Sequence, residues 1–196
     1  MADYIDSGAT ISHDGRYRYL LWREWRGSNR PENWHWYGAK DGNGAELGYP
    51  KACLFVMLNP STADGTQDDP TIRRCVGFAK SWGFDRLEVV NLFAYRATQP
   101  ADLLALREPD DPVGPQNQEY VEDRAAEAGK IICAWGGHGA HLGQDETVLG
   151  WCGPRATWAL GLTRDGYPRH PLYVAANTPL VRFKGRLPEG KSDERG

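Results

Sequence analysis

Apolar runs separated by turn-forming residues set the frame of this chain. Residues 54–58 (Leu-Phe-Val-Met-Leu) are five apolar residues in a row, the pattern of a strand buried on both faces in the middle of a parallel sheet. The run stops at Asn59-Pro60-Ser61-Thr62, where turn formers take over and Pro60 has no N–H to continue a ladder. Residues 86–93 (Arg-Leu-Glu-Val-Val-Asn-Leu-Phe) and 130–135 (Lys-Ile-Ile-Cys-Ala-Trp) read as two further strands. Between the first two strands, Ile72, Cys75, Val76 and Ala79 fall at i, i+3, i+4 and i+7, which predicts a helix with one face on the sheet. Asp69 is placed to cap it, Pro70 to open it and Gly83 to end it. Strand, helix and strand then make a right-handed β-α-β unit with a parallel pair.

The remaining pattern fills in around that unit. Residues 1–15 are polar and glycine-containing and are expected to be loosely held. Residues 16–26 mix aromatics and basic residues in partial alternation, which predicts a strand with one wet face. Its arginines suit an edge strand protected by charge, or stacking on bases beside Trp and Tyr. Glycine-rich residues 27–50 read as a β-hairpin excursion near the N-terminus. Residues 100–106 predict a short helix, 109–115 a loop and 116–128 a longer amphipathic helix. From 188 the chain is polar and charged, a tail expected to be disordered. The whole predicts one α/β domain over residues 1–187: three layers, with a mainly parallel central sheet and helices on both faces.

Composition narrows the class. A length of 196 residues is enough to bury a sizeable core. A net charge of -3 and a pI near 6.0 give no global electrostatic case for nucleic acid, though they leave a local basic surface open. Eight Trp and nine Tyr are many for this size, so some are expected to line a cleft or a partner surface and others the core. Cys53, Cys75, Cys133 and Cys152 show no C-x-x-C spacing, which fits free buried thiols in a reducing compartment. The first residues are acidic and no run approaches a membrane span, so the expectation is a cytoplasmic protein that meets no membrane. No cofactor and no resident metal is assigned.

The candidate chemistry lies at strand ends, because ligands of open α/β sheets bind beyond the carboxyl ends of the strands. Asn59, Pro60, Ser61, Thr62 and Asp64 emerge there, and Asn91 lies at the same edge. An Asn amide either satisfies a neighbouring loop or reads a nucleobase edge with its donor and acceptor. Arg73 and Arg74 sit in the first turn of the predicted helix. Positive charge there opposes the helix dipole and suits an anionic ligand, or else pairs with Asp68 or Asp69. Arg96 follows the second strand. After the third, residues 136–140 (Gly-Gly-His-Gly-Ala) are expected to turn the chain into a helix; Gly136-Gly137 allow backbone N–H groups near a ligand, and His138 is a base, a ligand contact or a surface residue. Arg169 and His170, between Pro168 and Pro171, are rigidly presented and suit anion or oxyanion stabilisation. Asp64, Asp68 and Asp69 form a carboxylate cluster able to hold magnesium, although Asp69 is equally a helix cap.

Four motifs in order carry a resemblance: Leu-Asn-Pro-Ser-Thr-Ala-Asp (58–64), Asp-Asp-Pro-Thr-Ile-Arg-Arg (68–74), Val-Asn-Leu-Phe-Ala-Tyr-Arg-Ala-Thr (90–98) and Pro-Arg-His-Pro-Leu-Tyr (168–173). Over residues 16–184 the chain resembles the bacterial and phage family named domain of unknown function 1643, a name that supplies no activity. More distantly, the order strand-Asn-Pro, strand-Asn, strand-Gly and late His-Pro is similar to the uracil-DNA glycosylase superfamily. That likeness implies a uracil-DNA-glycosylase-like fold, with Asn59 positioning an attacking water, Asn91 reading the base and His170 stabilising charge on the departing base. The chain differs from that pattern in having Met57 where the motif has Gly, and Leu172 where Ser follows His-Pro. No aromatic is marked for stacking on the base, and no cysteine pattern suits an iron–sulfur cluster.

Three readings follow. The first is a hydrolase acting on a nucleobase or nucleotide, an N-glycosidase in which an Asn and a His polarise the leaving base. The second is a non-catalytic module binding nucleic acid or nucleotide in the same cleft. The third is a metal-dependent hydrolase built on Asp64, Asp68 and Asp69.

Overall fold

The computed structural model describes residues 4–25, 52–60, 65–106 and 111–186. Ser61, Thr62, Asp64, the hairpin expected at 27–50 and the tail from 188 lie outside the described residues.

The central apolar run becomes β3 (Ala52–Met57), all six of whose residues are buried. It is flanked by β4 (Arg86–Asn91) and β5 (Lys130–Cys133), both parallel to it, with Met57 opposite Asn91 and Val56 opposite Cys133. With β1 (Asp6–Ile11), β2 (Arg18–Glu24), β6 (Thr157–Ala159) and β7 (Val181–Phe183), the seven-stranded sheet runs β1-β2-β4-β3-β5-β6-β7. Its four middle strands are parallel; β1, β2 and β7 join antiparallel at the flanks. The connection after β3 goes to one side and the route from β4 to β5 crosses to the other. The carboxyl end of β3 is therefore a topological switch point, where such sheets open a crevice.

Alternation along the strands divides the core in two. Phe55, Met57, Val89 and Ile132 face α1 (Pro70–Ser81), which contributes Ile72, Cys75, Val76, Phe78 and Ala79. Leu54, Val56, Val90, Ile131 and Cys133 face the side covered by α2 (Pro100–Leu104), α3 (Asn117–Glu127) and α4 (Gln144–Trp151). Asp69 caps α1, its Oδ1 accepting from the Ile72 N–H at 2.7 Å, and Gly83 at φ +75° leads the chain out of it. All four cysteines are buried free thiols. Burial pushes each above its ordinary pKa, Cys152 to about 11. No helix of the described residues is long and apolar enough to cross a membrane.

Three expectations need correction. The segment read as loosely held contains β1, paired with β2 along its whole length. An edge strand forms through its backbone bonds and needs few apolar side chains. Gly8 also lets the Trp22 ring lie against it, where a Cβ would come within 2.3 Å of the indole. Second, β2 has no wet face and is not at the edge: it lies between β1 and β4, with Arg23 0% exposed and Glu24 and Arg18 buried. The charges of Arg23 and Glu24 are compensated inside the protein. Arg23 Nε donates to Asp68 Oδ1 at 2.7 Å, and Arg86 pairs with Glu24 and Glu88 at 3.2 and 2.8 Å. Third, the chain after β5 does not pass directly into a helix; two 3-10 turns, Gly136–His138 and His141–Gly143, precede α4.

One irregularity in β2 places a side chain. Thr10 pairs with Leu20 but Ile11 pairs with Arg18, so Tyr19 is an extra residue in the strand. An unbroken strand would put Arg18 and Leu21 on opposite faces. The bulge turns Arg18 to the α1 side, beside Met57 and Val89, as bulges near ligand sites often do.

Candidate functional site

At the switch point lies a cleft of about 540 Å³. The turn after β3 brings Asn59 to it, β4 brings Asn91, the turn after β5 brings Gly136 and His138, and the 168–173 segment brings Arg169 and His170. Sequence positions up to 111 apart thus meet at one edge of one sheet, from Asn59 to His170.

Asn91 follows Val89 by two residues and so shares its face. It is 0% exposed, and neither its Nδ2 nor its Oδ1 has a hydrogen-bond partner. Its main chain is well held, because Asn117 Nδ2 donates to the Asn91 and Leu92 carbonyls at 3.0 and 3.2 Å. Nearly all buried amides are paired, since an unpaired polar group costs about 1–3 kcal/mol. A fixed amide that keeps both its donor and its acceptor at a cleft wall is suited to a planar ligand edge offering one of each.

Asn59 is half-buried and tied back to the protein: its Nδ2 donates to the Ala97 carbonyl at 2.7 Å and to the Pro60 carbonyl at 3.0 Å. With the amide nitrogen engaged, the chemistry left to this side chain is that of an acceptor, Oδ1.

His170 is half-buried, and its Nδ1 accepts from the Leu172 N–H at 3.3 Å. That bond puts the proton of the neutral ring on Nε2. Burial lowers its pKa from the ordinary value, opposed by the charge of Asp69. In its neutral form His170 therefore presents an Nε2–H donor, which can stabilise a developing anion.

The other expected residues divide. Arg169 and His138 line the cleft from exposed positions, with Arg169 Nε donating to the Leu162 carbonyl at 3.0 Å. Gly136 lines it too, but its N–H is engaged by the Pro168 carbonyl at 3.0 Å, so it ties the end of β5 to the His170 segment and offers no N–H to a ligand. Arg73, Arg74 and Arg96 are not brought to the cleft. Arg73 donates to the Asp68 carbonyl at 2.6 Å, Arg96 to the Gly15 carbonyl at 3.1 Å, and Arg74 to the carbonyls of Pro171 and Val174. At the start of α1 the Ile72 N–H meets the Asp69 carboxylate of the chain's own cap, and the Arg73 N–H the Asp69 carbonyl. Pro60 is buried behind the turn. Asp68 is held by Arg23 and by the Tyr4 hydroxyl, which donates at 2.6 Å. Among the described residues no group of three His, Cys, Asp or Glu side chains is placed to hold a metal ion.

Sequence reading missed several lining residues, three of which bear on the chemistry. Arg18, 2% exposed, is turned inward by the bulge, for which the sequence carries no signal. Trp135 ends the third apolar run and could have been found by the same strand-end rule that found Asn91. Tyr173, 80% exposed at the mouth, sits with its ring 5.5 Å from that of His170; its signal is the Pro-Arg-His-Pro motif just before it.

The chain belongs to the family described as protein of unknown function (DUF1643), whose family model matches residues 18–172. That span begins at Arg18 and takes in every cleft residue named above except Tyr173. No curated protein and no solved structure matches the chain.

Proposed function

We propose that this protein binds a nucleobase, as a nucleotide or within nucleic acid, in the cleft at the end of β3, and hydrolyses the N-glycosidic bond that holds it, on a uracil-DNA-glycosylase-like arrangement of strands. The observation that carries the reading is Asn91, a fully buried amide with both polar atoms unpartnered beside a cleft. Its donor and acceptor match the edge of a base, and Arg18 beside it adds donors only.

In this reading Asn59 Oδ1 accepts a hydrogen bond from a water placed at the anomeric carbon. The water oxygen bonds to that carbon as the carbon–nitrogen bond breaks. The bonding pair leaves with the base, the His170 Nε2–H donates to the charge that develops, and the proton lost by the water ends on the base. Removing such a preorganised donor slows turnover by about 10²–10³-fold, which is the effect expected of His170→Ala.

A second reading, a binding module without turnover, has one observation in its favour. The only carboxylate that the described residues bring to the cleft, Asp69, is engaged as a helix cap, so no unengaged carboxylate stands ready as a general base. Nucleosides, nucleotides and oligonucleotides carrying mismatched or deaminated bases, incubated with the protein and assayed for free base by chromatography and mass spectrometry, separate the two. Release by the wild type that is lost in Asn59→Ala supports the hydrolase. Binding without release supports the module, and neither binding nor release removes both.

A further inference from the structure

We infer that Arg74 is a positioning residue for His170: from the first turns of α1 it holds the turn that carries the imidazole against the cleft. Arg74 Nε donates to the Pro171 carbonyl at 3.3 Å and Nη2 donates to the Val174 carbonyl. These two carbonyls bracket Leu172, the residue whose N–H donates to His170 Nδ1. The guanidinium is itself held, with its central carbon 4.9 Å from the ring centroid of Phe78, one helical turn further along α1 and buried. The planar fork of arginine suits this task, since it serves two acceptors at once while stacking on an aromatic face.

The other side of the segment is fixed independently. Gly136 N–H donates to the Pro168 carbonyl at 3.0 Å, and Tyr173 N–H to the His170 carbonyl, also at 3.0 Å. His170 is thus gripped from the end of β5 on one side and from α1 on the other. Without the α1 grip, the bond from Leu172 to Nδ1 loses one of its two supports, and the preference for the Nε2–H form weakens with it. An arginine near a helix N-terminus works against the dipole, a cost that the bonds made by its far end offset. Among the described residues, the charged and titratable groups that share the cleft with the imidazole or hold its turn are Asp69 from the α1 cap, His138 from the turn after β5, Arg169 beside it in the chain, Tyr173 and Arg74.

What this means for turnover rests on the reading of His170 as a donor to a departing base; the geometry of the turn does not, so the test reads the imidazole itself. The full chain with 15N-labelled histidine is titrated by NMR as wild type, Arg74→Lys and Arg74→Met. In the wild type, His170 is expected as the Nε2–H tautomer with a midpoint below that of an ordinary histidine. In Arg74→Met the two tautomers mix and the midpoint rises. Arg74→Lys keeps the charge but cannot bridge two carbonyls, so it moves in the same direction by a smaller amount. A wild-type tautomer and midpoint in either variant overturns the inference, and so does failure of both variants to fold, which would make Arg74 a general stability residue. Base release measured on the same samples keeps the two ideas apart: altered His170 signals with no release from any sample leave the positioning role standing and sink the hydrolase.

Discussion

At the scale of single residues, the feature that sets this protein apart from an ordinary α/β domain is a buried amide left unpaired. Asn91 loses hydration on folding and gains no hydrogen bond for its side chain, so it opposes folding. Replacing a buried unpaired polar group with an apolar one of similar shape is neutral or stabilising. Asn91→Leu is therefore expected to raise stability by about 1–3 kcal/mol, seen as a higher urea midpoint at unchanged slope, while destroying ligand recognition. A variant less stable than the wild type would show that the amide is satisfied within the fold and has no ligand to serve. Asn91 was legible in sequence because a short side chain at a strand end goes where the backbone points it. Arg73, Arg74 and Arg96 were not, because a long side chain reaches several acceptors and the sequence does not say which. All three are engaged by backbone carbonyls, those of Asp68, of Pro171 and Val174, and of Gly15.

At the scale of elements, the β3-α1-β4 unit could be read in advance because local signals agree there: an apolar run, a turn, a cap, a helical period and a second run all specify the same thing. The strand β2 was legible as a strand, but its burial and its place inside the sheet were not, since Arg23 and Glu24 follow no apolar pattern and are compensated by ion pairs with residues far along the chain. Arg23 reaches Asp68 across 45 positions, and that pair also sets the segment leading into α1. The three residues of β7 are too few to show a period. Removing one member of a buried ion pair leaves the other uncompensated, at a cost of about 3–5 kcal/mol. Asp68→Ala is expected to lose about 3 kcal/mol or more in chemical denaturation, because Arg23 is wholly buried and the Tyr4 hydroxyl loses its acceptor as well. Asp68→Asn, which keeps an acceptor oxygen, should lose less. Equal stability of wild type and Asp68→Ala would mean that the Trp22, Gly8, Gly65 and Gln67 carbonyls around Arg23 satisfy it on their own.

At the scale of the whole molecule, the cleft and the stability of the fold are coupled through its walls. The cleft is built from the ends of β3 and β4, the start of α1, the turn after β5 and the 168–173 segment, and these come together only when the sheet is complete. The unfolded chain has no such site, so a ligand that fills it binds the native state alone and stabilises it by mass action. At one hundred times its dissociation constant such a ligand contributes about 2.7 kcal/mol, which for a domain of this size raises the melting temperature by roughly 5–11 °C. A thermal-shift screen of nucleobases, nucleosides and nucleotides therefore finds the ligand without assuming that turnover occurs. The wild type is expected to respond to at least one member of that set, and Asn91→Leu, though more stable on its own, to none. A shift of equal size in both proteins would place the ligand elsewhere on the surface. Silence from the wild type across the whole set, at millimolar concentration, would remove nucleobase recognition as the reason for an unpaired amide on the cleft wall.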